Sequence, residues 1–175
     1  MTRVALISFV AAAAILAAAP AAHAEAKLYA YDPADASTRG RTGGVTLEVE
    51  RGLLGGARIR RLFSTAARGS ARVTRDDASQ SLVLRALPAG ATEQNVYVIE
   101  LEGDGRALAR ALCPGSERAW FVVGRVRPLT PLTIRIVGQV GENTPVNCAP
   151  LSYRYRGEWD MPDRAGPGRD ADRGR

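Results

Sequence analysis

The chain has 175 residues, with 24 Lys or Arg, 18 Asp or Glu and a single His, and a formal charge of +6 at neutral pH. That length suits one domain. The lone histidine, His23, falls in an apolar leader, so the mature chain is expected to lack histidine, which excludes a Ser-His-Asp triad, a Cys-His pair and every histidine-ligated zinc site.

Arg3 followed by the alanine-rich run Val4 to Ala19 has the form of a Sec-type signal, and Ala22-His23-Ala24 is a small-residue cleavage site. Cleavage after Ala24 is expected, because so short and weakly apolar a run falls below the roughly 20 residues of a membrane span. The remaining 151 residues contain no second apolar span, so no transmembrane segment is expected after cleavage. With Arg3 gone the charge becomes +5, and Lys27 is the only lysine. A periplasmic or secreted protein of this modest charge is not expected to bind nucleic acid.

Leu28 to Tyr31 reads as a short strand stopped by Asp32-Pro33, and the polar stretch to Gly44 reads as a loop. Val45, Leu47 and Val49 alternate with Thr46, Glu48 and Glu50, the period of a strand with one wet face. Gly52 and Gly55-Gly56 make a turn. Arg58 to Ala67 supports two readings: Ile59, Leu62, Phe63, Ala66 and Ala67 follow a helical stripe, yet a hairpin strand fits the flanking glycines equally. Ala71 to Arg75 and Ser81 to Leu87 read as strands around the polar turn Asp76-Asp77-Ala78-Ser79.

Val96 to Glu102 is the next strand, followed by a short helix that Asp104 is expected to cap through its side chain, with Leu108, Ala111 and Leu112 as its buried side. Pro114-Gly115 ends that helix. Trp120 to Val126 and Leu132 to Val140 are the most apolar strands, joined through Pro128 and Pro131. A final strand, Leu151 to Trp159, places Tyr153, Tyr155 and Trp159 on one face and Arg154, Arg156 and Glu158 on the other by simple alternation. From Pro162 the chain is Gly, Pro, Arg and Asp with alanine as its only apolar residue, and a disordered tail is expected over 161–175.

Cys113 and Cys148 are the only cysteines, and an even pair in an exported chain reads as a disulfide. It would tie a helix end to the strands beyond it and make Val96 to Cys148 the core. Some eight short strands with one or two short helices give a mainly β domain over 25–160, a small antiparallel β-sandwich or a barrel-like form, with α+β as the alternative. An outer-membrane barrel is not expected, because these strands are short and charged on their alternate faces.

No catalytic residue, metal or cofactor is assigned. Glu100 and Glu102, with Glu48 and Glu50 as possible neighbours, are the one inventory for carboxylate chemistry and would make a hydrolase of envelope polysaccharide. Asp32, Asp35 and Ser37, or Glu102 with Asp104, are weak calcium candidates that match no EF-hand loop. Arg58, Arg60, Arg61 and Arg68 suggest a peripheral binder of anionic lipid or lipopolysaccharide. The preferred expectation is a non-catalytic binding or accessory domain that engages an envelope protein or glycan through Tyr153, Tyr155, Arg156 and Trp159, with Trp120 as a further candidate for the platform.

Overall fold

The computed structural model describes residues 25–52, 56–66, 69–141 and 144–161. The expected signal, all of the expected tail beyond Met161, and Arg68 lie outside the described residues. Eight strands form a closed, antiparallel up-and-down barrel in which each strand pairs with its neighbour in sequence and β8 returns to β1. They are β1 (Glu25–Pro33), β2 (Val45–Arg51), β3 (Ala57–Ser64), β4 (Ser70–Arg75), β5 (Asn95–Ile99), β6 (Arg118–Val123), β7 (Leu132–Val140) and β8 (Thr144–Asp160). Among the described residues three helices interrupt the meander: α1 (Ala36–Thr42), α2 (Gln80–Arg85) and α3 (Gly105–Leu112). Of the two β architectures expected, the barrel is realised.

The core is the inside of the barrel. Tyr29, Leu47, Ile59, Tyr97, Phe121, Ile136 and Tyr153 come from seven strands and meet in one buried cluster. Val96 to Cys148 is therefore not a core on which the rest packs; β1 to β4 contribute an equal wall. A second cluster lies outside the barrel, where Val83 of α2 covers Val96, Trp120, Val122 and Val137.

Several local expectations are corrected. The loop after Pro33 holds α1, whose first turn is capped by Asp35 accepting from the Thr38 N–H at 2.7 Å. Its buried positions are Thr38 and Thr42, so it carries no apolar stripe to reveal it. The expected strand Ser81 to Leu87 is instead helix α2 and the residues just after it; Val83, Leu84, Ala86 and Leu87 pack against the outer wall. Asp104 stands at the N-cap of α3, but its side chain makes no capping hydrogen bond.

The ambiguous segment is strand β3, and its helix-like spacing has a specific cause. Val49 opposes Ile59 while Glu48 opposes Arg61, so Arg60 is an extra residue, a β-bulge. The bulge lets Ile59 and Leu62, three positions apart, both point into the barrel, where each is 2% exposed.

The Cys113–Cys148 disulfide is present, with Cα atoms 5.4 Å apart, and joins the end of α3 to β8. Cys148 is itself the extra residue of a bulge, since Ile136 opposes Ala149 and Val137 opposes Asn147. Gly138 lies beside the bridge; a Cβ there would overlap Cys113 Sγ and come within 2.7 Å of the Ser116 side chain.

Candidate functional site

An up-and-down barrel has two ends, and here they differ. The connections carrying α1 and α3 lie at the same end, where the two helices touch each other and bury Leu108, Ala109 and Leu112 against the core. Thr42 of α1 shares a 2.8 Å hydrogen bond with the Tyr153 hydroxyl, fastening this cap to β8. Burial raises the Tyr153 phenol well above its ordinary pKa; the Thr42 bond partly opposes that rise and the nearby Asp35 charge adds to it.

Among the described residues the opposite end, flanked by the β4–β5 and β6–β7 connections, is open. A cavity of about 950 Å³ lies there, lined by Arg51, Ile59, Arg75, Asn95, Tyr97 and Arg127 among others. A second hollow of about 600 Å³ adjoins it beside Glu50, Arg58 and Asp77. Concave sites for ligands commonly fall in this size range and at barrel mouths.

The chemistry of the mouth is cationic. Arg51 stacks over the Tyr29 ring at 5.6 Å. Arg75 is held by Asp77 at 2.7 Å and by Asn95 at 3.0 Å, which aims its guanidinium along the rim. Arg125 and Arg127 are exposed in the β6–β7 connection, and among the described residues neither they nor Arg51 form an ion pair. Lys27 is engaged by Glu158 and Asp160, each at 3.6 Å. Inside the barrel Tyr29, Tyr31 and Tyr155 pack edge to face, and among the described residues the Tyr29 and Tyr31 hydroxyls have no hydrogen-bond partner. Burial, and then the neighbouring tyrosines, push the Tyr31 phenol upward.

The residues singled out on the last strand do not form one platform. Gly157 opposes Ala30 and Tyr155 opposes Tyr31, so Arg156 is an extra residue in β8. Directly opposed residues share a face, and this bulge reverses the alternation. Tyr153 and Tyr155 turn inward, Tyr153 being 1% exposed, while Trp159 opposes Leu28 on the outside and is 49% exposed. Arg156 is exposed and lies 3.8 Å from Asp32. Trp120 is on the outer wall beneath α2, donating its indole N–H to Asp76 at 2.9 Å.

The acidic candidates also separate. Glu48 and Glu50 are on β2, which pairs with β1 and β3, while Glu100 follows β5, which pairs with β4 and β6. Glu50 is engaged by Arg60 at 2.7 Å and Glu48 by Arg61 at 3.9 Å, which also pairs two of the four proposed lipid-binding arginines. Thr74 donates to Glu100. Of the calcium candidates, Asp35 caps α1 and Asp32 faces Arg156.

The cationic mouth was not anticipated. Arg51, Arg75, Arg125 and Arg127 span 76 positions in the sequence and meet only on closure of the barrel; the one local hint is the Arg-Val-Arg-Pro run. Comparison with protein-family models, curated proteins and solved structures finds no match to this chain.

Proposed function

We propose that this protein is an exported, non-catalytic binding domain that engages an anionic component of the cell envelope, glycan or protein, at the open end of its barrel. The observation that carries the reading is the mouth itself: a cavity of about 950 Å³ whose arginines Arg51, Arg125 and Arg127 lack acidic partners among the described residues, opposite an end closed by two helices. Unpaired guanidinium groups converging on a concave surface favour carboxylate or phosphate ligands, which they grip through paired hydrogen bonds. The disulfide is compatible with an oxidising, exported compartment. The envelope as the place of action rests on the N-terminal signal pattern.

The test is fluorescence anisotropy with two labelled probes, oligogalacturonate for a carboxylated glycan and oligoglutamate for an acidic peptide. At least one is expected to bind, and the Arg51→Gln/Arg127→Gln variant should lose about tenfold or more in affinity, since each charge-assisted contact contributes on the order of 1.5–3 kcal/mol. Binding of neither probe, or binding indifferent to the two substitutions, would refute the reading.

A further inference from the structure

We infer that the seam between β3 and β4 at the open end accepts an extended acidic segment of a partner protein as an added strand. This rests on the binding function above and narrows it to one kind of partner.

The seam is incomplete. β3 and β4 are paired only from Arg61↔Arg72 to Phe63↔Ser70. Below that level β4 continues to Arg75 and pairs with β5, but among the described residues Ala57 to Arg60 of β3 have no strand partner on the β4 side. The gap begins at the bulge at Arg60. An extra residue bends a strand and increases its twist, and on the Ala57 side of this one β3 is paired with β2 but not with β4. In an otherwise closed barrel this leaves a short strand edge, whose alternate N–H and C=O groups are available to another chain.

Three further features match that edge to one occupant. Both hollows at the open end run along it, since each is lined by Ala57 from β3 and by Arg75 and Tyr97 from the facing strands. The surroundings are basic, with Arg58 on the edge itself and Arg51, Arg125 and Arg127 around the larger hollow. The local acids are already engaged, Glu50 by Arg60 and Asp77 by Arg75. A strand added here would form backbone bonds to β3, and its alternate side chains would face the arginines. Acidic side chains at every second position therefore fit, and basic ones are repelled.

The test uses fluorescein-labelled peptides of about eight residues, the length of an ordinary strand. One alternates threonine and glutamate, a second replaces glutamate by lysine, and a third is the glutamate peptide N-methylated at alternate amides, which removes ladder donors and keeps the charge. The glutamate peptide is expected to bind, the lysine peptide not to bind, and N-methylation to weaken binding by about tenfold or more, as several backbone bonds are lost. Deleting Arg60, which removes the bulge and lets β3 rejoin β4, should abolish binding; if that variant fails to fold by circular dichroism, the N-methylated peptide decides. Equal affinity for the N-methylated peptide, or no binding of the glutamate peptide, overturns the inference. If oligogalacturonate binds where the peptide does not, only the added strand falls; if neither anionic probe binds, the function falls with it.

Discussion

Asp76 shows how one side chain joins two parts of the barrel wall. It accepts the Trp120 indole N–H at 2.9 Å and the Ser79 backbone N–H at 3.0 Å, so it links β6 to the turn that starts α2. Burial pushes its carboxyl up, but the Trp120 and Ser79 hydrogen bonds and the Arg118 charge outweigh burial and hold it below its ordinary value of 3.8. A carboxyl depressed in the folded state stabilises the fold above its unfolded value, and that contribution is lost as pH falls through the folded value. Stability should therefore decline as pH falls below about 4, and the decline should be shallower in Asp76→Asn. Denaturant titrations followed by circular dichroism would check this; equal slopes for the two proteins would show that Asp76 does not carry the acid dependence. Nothing in the sequence distinguishes Asp76 from its neighbour Asp77, because the distinction is made by a tryptophan 44 positions away.

At the level of elements, bulges and turns account for most differences from the sequence reading. Period-two alternation identified β2 with its correct inward face, because β2 carries no extra residue of its own. β3 and β8 do, and in each an inserted arginine changes the phase: Arg60 makes a strand read like a helix, and Arg156 sends Trp159 outside while Tyr155 stays inside. A strand bulge depends on twist and closure, so no local pattern announces it. The β6–β7 turn holds a different irregularity. Leu129 has φ 60°, the left-handed region that disfavours a Cβ, and is 84% exposed. Leu129→Gly should raise stability by roughly 0.5–1 kcal/mol, the relief of left-handed strain less the entropy of a freer unfolded chain. An unchanged or lowered urea midpoint would contradict that assignment.

Across the whole molecule, the disulfide and the barrel closure act together. The bridge spans 35 positions and attaches the α3 cap to β8, the strand that also completes the ring through β1. Closing such a loop in the unfolded chain is worth about 4 kcal/mol, a large part of an ordinary domain's stability. Cys113→Ser/Cys148→Ser, or reduction of the native protein, should lower the urea midpoint by a corresponding amount; a midpoint insensitive to reductant would place the barrel's stability in its core alone. Charge also becomes meaningful only at this scale. An excess of arginine dispersed along the chain acquires direction when ion pairs on the outer wall, such as Arg61 with Glu48 and Arg135 with Glu93, use up some of it and leave the mouth unbalanced.

The amino-acid sequence by itself determined the β-rich class, the cysteine pair, the absence of histidine beyond the N-terminal stretch and the inward face of β2, because each depends on composition or on a period a few residues long. Barrel closure, the phase of β3 and β8, the separation of the acidic residues and the assembly of Arg51, Arg75, Arg125 and Arg127 were decided by tertiary structure. These depend on which strands become neighbours and on where one extra residue is absorbed, and both are set by the energy of the closed barrel as a whole.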